Sequence, residues 1–114
     1  MTDRGGPTPH PVMPEAGDVV VYATTWCPYC AMLLVGLRSA GIPALVIDID
    51  RDQLAAAFVE GVNGGNRTVP TVVFANGTIL TNPPPEVVAH RASAEADRPA
   101  SPRPPSPDPS STSN

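Results

Sequence analysis

The chain has 114 residues, a formal net charge of -4 and 16 prolines, ten of which fall at positions 7 to 14 and 99 to 109. Its seven cations are all arginine with no two adjacent, and it has only five aromatic residues, so neither a phosphate-neutralising surface nor a base-stacking platform is expected and nucleic acid is not a partner. No apolar run reaches the roughly 18 residues of a membrane span, and prolines, glycines and charges occupy the first 18 positions where an apolar leader core would lie, so the expected compartment is the cytoplasm.

Proline lacks an amide donor and does not fill helix interiors or central strands, so residues 1–17 and 98–114 read as disordered Pro-rich and Pro/Ser-rich tails around one small domain over 18–97. Val19 to Ala23 is a short β-branched run suited to a buried strand. A break at Thr24 to Pro28 follows, with Thr25 a candidate N-cap and Pro28 acceptable in a first helical turn. Met32, Leu33, Val35 and Leu37 then supply the apolar face of a helix that ends at Ala40-Gly41.

Ala44 to Ile47 predicts a second buried strand, and Asp50 with Gln53 predicts the start of a second helix whose buried stripe is Leu54, Ala57 and Phe58. A loop over 62–68 is rich in residues tolerant of positive φ. Val69 to Phe74 is a third strand, and Asn76-Gly77 turns it into a fourth at Thr78 to Leu80. Glu86 to Asp97 predicts a last helix in which Val87, Val88 and Arg91 lean on the sheet. The sum is an α/β chain of order βαβαββα with a mixed four-stranded sheet flanked by helices, a thioredoxin-like fold.

Cys27-Pro28-Tyr29-Cys30 sits at the first strand-to-helix junction, where free backbone amides and the helix dipole favour an anion. A thiolate is the attacking species in thiol-disulfide exchange, so Cys27 is the expected nucleophile and Cys30, one turn into the helix, the expected resolving thiol. A zinc half-site needs further ligands, for which His10 and His90 are the only histidines, and a structural disulfide is rare in the cytoplasm, so no metal is expected and redox chemistry is favoured. Thr68-Val69-Pro70 is the second element of the site: a cis bond before Pro70 turns the Val69 backbone toward Cys27, while an ordinary turn proline before a strand is the alternative.

CPYC after a strand, TVP before a strand and an Asn-Gly hairpin together resemble the glutaredoxin family over about residues 18 to 92. The stretch from Val62 to Val72, with Phe74 to Gly77 and Leu80 to Pro83, is most similar to the mycoredoxin branch, which works with mycothiol in place of glutathione. Glutathione-using members often carry lysine where Thr24 stands, and a Gly-Gly pair with acidic or hydroxyl residues where this chain reads Ile79 to Pro83. Mycoredoxins often have glycine where Pro28 stands.

The resemblance implies a monomeric thiol-disulfide oxidoreductase with no bound cofactor. Its co-substrate would be mycothiol or glutathione, its targets S-thiolated proteins, and its indirect electron source an NADPH-dependent disulfide reductase. Substrate contacts fall to Trp26, Tyr29, Arg67, Thr68, Val69, Pro70, Thr81 and Asn82, the last two as partners for sugar hydroxyls. Arg67 reads equally as a solvated loop charge, and Trp26 as a packing residue. Two other branches remain: an electron donor to ribonucleotide reductase, whose Trp-Ser-Gly-aromatic-Arg-Pro segment Ile79 to Pro84 does not match, and an iron-sulfur carrier, which Pro28 and the second cysteine disfavour.

Overall fold

A computed structural model of the protein describes residues 11–97. Seven elements follow in the order β1 (Val19–Ala23), α1 (Pro28–Ser39), β2 (Ala44–Asp48), α2 (Gln53–Val62), β3 (Thr71–Phe74), β4 (Ile79–Thr81) and α3 (Pro85–Asp97). The sheet order is β2-β1-β3-β4, with β1 and β2 parallel and the other neighbours antiparallel. This is the mixed sheet expected, and its two central strands, β1 and β3, are buried at every position.

Burial on both faces creates two cores. Val19, Val21, Val72 and Phe74 pack under α1 and α3 against Leu33, Leu37, Val88 and Ala92. Val20, Tyr22, Ile47 and Val73 pack under α2 against Ala55, Ala56 and Val59. Each fully buried Val, Leu or Phe side chain contributes about 1.5–3 kcal/mol relative to exposure. The Arg91 guanidinium lies 5.8 Å from the Phe74 ring centroid, a cation–π contact, and Val88 is buried, but Val87, expected to lean on the sheet with them, is exposed.

Several local expectations need correction. β2 is an edge strand: Leu45 and Val46 are exposed, because β2 has a neighbour on one side only. On α1 the buried residues are Cys30, Leu33 and Leu37, while Met32 and Val35 face solvent. On α2 the stripe is Ala55, Ala56 and Val59, with Leu54 and Ala57 exposed and Phe58 half-buried beside Tyr22 at 5.1 Å between ring centroids. Small side chains let the helix approach the sheet closely, which hydrophobicity alone does not rank.

The caps differ too. Cys27, not Thr25, is the N-cap of α1, and Asp52, not Asp50, caps α2 by accepting the Ala55 N–H at 3.0 Å. The segment read as tail is packed at two points within the described residues: Val12 lies against the α2-side core and Gly17 is buried against Ala96. Residues 1–10 of the proposed 1–17 tail, and all of the proposed 98–114 tail, lie outside the described residues.

Helices α1 and α3 touch closely at Gly36, where an added Cβ would stand 2.4 Å from Pro85 Cβ. Helix propensity alone favours alanine over glycine by about 1 kcal/mol, but the proline ring has no room to yield. Gly36→Ala is therefore expected to destabilise the fold by about 1–3 kcal/mol, read as a lower urea midpoint at unchanged slope; a midpoint at or above that of the parent protein would contradict the contact.

Candidate active site

The site lies where β1 leaves the sheet. Ile49 donates its N–H to the Ala23 carbonyl at 3.0 Å, which fastens the end of β2 beside the turn into α1. Pro28 opens the helix, and the Cys27 sulfur accepts the Cys30 N–H at 3.2 Å, so the cysteine side chain fills the position that a Ser or Asp oxygen usually holds. Both cysteines are buried free thiols. Sulfur at a helix N-terminus is in the local field that stabilises a negative charge.

β3 runs antiparallel to β1 with Thr71 opposite Tyr22, which carries the residues before β3 to the cysteine loop. The Val69–Pro70 peptide is cis, as one of the two readings required, and the Val69 carbonyl accepts from the Cys27 Sγ at 4.0 Å. Asn82 returns along the far side, its N–H bonded to the Pro70 carbonyl at 2.7 Å. Its φ of 52° lies in the left-handed region, which asparagine tolerates better than most residues.

Cys30 is buried deeper in the helix, and its thiol is pushed well above the ordinary range. Burial is the largest cause, and the hydrogen bond with Cys27 and the nearby Cys27 charge act in the same direction, against a backbone hydrogen bond at Thr24. Thr24 itself is buried, and no described group satisfies its hydroxyl.

The polar residues around the cysteines are less free than their sequence suggests. Thr81 donates its hydroxyl to Asn63 Oδ1 at 2.7 Å, and Asn63 Nδ2 donates to the Val59 carbonyl at 2.9 Å and to Thr71 Oγ1 at 3.2 Å. Thr71 in turn donates to the Thr68 carbonyl at 2.8 Å. Asn63, the C-cap residue of α2, thus ties that helix to β3, β4 and the loop carrying Thr68 and Val69. In the sequence Asn63 falls within the loop over 62–68, and the glycine beside it, Gly64, which the structure places at φ 69°, is the local turn signal.

Arg67 forms an ion pair with Glu60, which raises its already high basicity. Trp26 is 70% exposed and Tyr29 62% exposed, so the packing alternative for Trp26 does not hold. The indole Nε1 donates to Asp50 Oδ2 at 3.0 Å, a partner that sequence reading had assigned to helix capping. The structure therefore gathers Trp26, Val69 and Pro70 around the cysteine pair, and links Thr81 to the same wall through Asn63.

A CxxC pair capping the first helix of this sheet defines a redox protein of thioredoxin-like fold. Two solved structures share the fold: the thioredoxin-like protein BC3987, as its T8A mutant, at TM-score 0.57 and 20% identity over 66% of this chain and 94% of that one, and glutaredoxin 1 of Archaeoglobus fulgidus at TM-score 0.51 and 26% identity over 64% and 83%. The glutaredoxin family profile matches residues 19–80. Mycoredoxin 1 of Corynebacterium glutamicum is 52% identical over 66 residues, 58% of this chain and 81% of its own. A Mycobacterium tuberculosis protein that carries the glutaredoxin name is 51% identical over 65 residues, 57% of this chain and 77% of its own. The chain belongs to the glutaredoxin family and is a thiol-disulfide oxidoreductase.

Two outcomes follow from the site's geometry. The buried Cys30 thiol keeps its proton in the folded state above the pH, about 8.5, at which an exposed thiol releases it. The stability this contributes is complete below that pH and is lost as the pH rises toward the folded-state value. Under reducing conditions the urea midpoint should accordingly fall more steeply from pH 8 to pH 10 in the parent protein than in Cys30→Ser; parallel slopes would contradict the shift. Asn63→Ala removes three side-chain hydrogen bonds and should cost about 1–3 kcal/mol. A double-mutant cycle with Thr81→Ala should show coupling of about 0.5–1.5 kcal/mol, and strict additivity would break the link.

Proposed function

We propose that this protein reduces mixed disulfides between proteins and a low-molecular-weight thiol, with mycothiol as that thiol and Cys27 as the nucleophile. The observation that carries the reading is the Cys27 sulfur at the α1 N-terminus, accepting the Cys30 amide and lying beside the Val69 backbone. The similarity to Mycoredoxin 1 supports the choice of thiol. The absence of a Gly-Gly pair after the hairpin, where Ile79 to Pro83 stand, supports it independently, since mycothiol has no γ-glutamyl group to hold. The cytoplasm, which keeps free thiols reduced, is the compartment that suits this chemistry.

The Cys27 thiolate attacks the mycothiol sulfur of the protein-mycothiol disulfide. The target protein leaves as a thiolate and takes up a proton, while mycothiol stays bonded to Cys27. A second mycothiol then attacks the mycothiol sulfur of that adduct, forming the mycothiol disulfide and restoring the Cys27 thiolate; an NADPH-dependent reductase recycles the disulfide.

The intramolecular alternative has Cys30 lose its proton, attack Cys27 Sγ and expel mycothiol, leaving a Cys27–Cys30 disulfide. Once Cys27 carries the adduct, its charge no longer opposes ionisation of Cys30, but burial still does. That residual burial favours the external thiol.

A second copy of the chain is not required by any step, so the acting unit is a monomer. In this reading the Val69 backbone and the exposed ring of Tyr29 meet the extended target segment, and Asn82 and the Thr81 hydroxyl oxygen meet the sugar.

A peptide carrying either mycothiol or glutathione in mixed disulfide tests both parts. Cys27→Ser should abolish turnover and Cys30→Ser should retain at least about half of it, since the monothiol route survives. The parent protein should prefer the mycothiol-bearing peptide by about tenfold in kcat/KM, equivalent to about 1.4 kcal/mol. Equal or greater efficiency with glutathione would refute the thiol assignment, and full turnover without Cys27 would refute the mechanism.

A further inference from the structure

We propose that Asp50 is a positioning residue of the redox site, holding the Trp26 indole as a fixed wall for the small thiol bonded to Cys27. The proposal rests on the mixed-disulfide reading above and deepens it by naming what shapes the adduct's surroundings.

Trp26 is peptide-bonded to Cys27, yet most of its ring is in solvent, where a tryptophan normally samples several rotamers. Here one ring edge is fixed. Nε1 donates to Asp50 Oδ2 at 3.0 Å, across 24 residues of sequence, bridging the loop before α1 to the loop before α2.

The acceptor is itself held in place. Asp50 N–H donates to Asp48 Oδ1 at 2.9 Å and Arg51 N–H to the Asp48 carbonyl at 3.1 Å, so the backbone under the carboxylate is a closed turn. Ile49, the residue before, is bonded to the Ala23 carbonyl at 3.0 Å, anchoring the turn to the strand that delivers Cys27. Asp52, two residues on, caps α2 through the Ala55 amide. Asp50 needs none of these roles for itself: its exposed carboxylate is spent on the indole.

The charges nearby set out the same rim. Arg67 is paired with Glu60 and lies close enough to Asp50 to feel its charge, without a bond between them that would compete with the indole. An indole fixed at one edge presents its apolar face without the entropy loss of ordering it on binding, which is a contribution to substrate affinity more than to the chemical step.

The chain contains a single tryptophan, so its fluorescence reports this contact directly. Asp50→Asn retains a side-chain oxygen that accepts from the indole, and Asp50→Leu does not. In time-resolved anisotropy, Asp50→Leu should gain a fast local component absent from the parent protein and from Asp50→Asn. With the mixed-disulfide peptide, Asp50→Leu should raise KM about fivefold while kcat stays within about twofold, and Asp50→Asn should match the parent.

Unchanged indole motion in Asp50→Leu would overturn the proposal, as would a mobile indole with unchanged KM. Asp50→Asn matching Asp50→Leu in KM with the indole still held would assign the effect to charge and also overturn it. The parent protein's own Cys27-dependent turnover is measured first, so failure of the mixed-disulfide reading shows there and not in the variant ratios.

Discussion

The Cys30 amide bonded to the Cys27 sulfur joins the fold to the proposed chemistry, because one side chain both caps a helix and carries the sulfur proposed as the nucleophile. Helix N-termini leave amides without intrahelical partners, and a buried terminus must satisfy them. A serine or aspartate cap would do so with oxygen and leave no nucleophile. A cysteine in the same place accepts the same bond while the amides and the helix dipole act on its sulfur. The bond that satisfies the helix terminus therefore falls on a sulfur of the CxxC pair itself. Pro28 at the first helical position fits this arrangement, since its missing amide would have had no partner there.

What brings a second backbone segment to that sulfur is the order of the sheet. β1 is central and buried, parallel to β2 on one side and antiparallel to β3 on the other. The C-terminal end of β1 consequently meets the N-terminal end of β3, and residues 42 apart in sequence become neighbours at Cys27 and Val69. Asn63 closes the arrangement from the other face by bonding α2 to both β3 and β4. The end of α2 is thereby bonded, through Thr71, to the loop that carries Thr68 and Val69.

The features legible in the sequence were those set by local chemistry: a β-branched run for β1, Asn-Gly at the β3–β4 turn, proline at the helix start and CxxC at the junction. Side-chain direction was less legible where apolar residues outnumber the positions that face a core. Leu54 is more hydrophobic than Ala55 and Ala56, yet the orientation of α2 against the sheet buries the alanines and exposes the leucine, and on α1 Leu33 and Leu37 take the core while Met32 faces solvent. The caps were misassigned for a related reason, since Asp48, Asp50 and Asp52 are chemically equivalent in sequence and only the chain path gives them a turn, an indole and a helix terminus respectively. The Asn63–Thr81 bond had no local signal at all, because strand register places Thr81 opposite Thr71 while the end of α2 places Asn63.

That last class of contact alters how small-thiol recognition is read. Thr81 spends its only proton on Asn63, leaving oxygen lone pairs to accept from a ligand hydroxyl but no hydrogen to donate. Arg67 directs its guanidinium to Glu60, so a ligand carboxylate would compete with an existing ion pair. A ligand rich in hydroxyl donors and poor in carboxylates meets both conditions without breaking either bond. In the proposed mycothiol reading, selectivity would depend as much on the contacts these residues make with one another as on the residues themselves, and a substitution at Asn63 or Glu60 would change what Thr81 and Arg67 offer to the ligand.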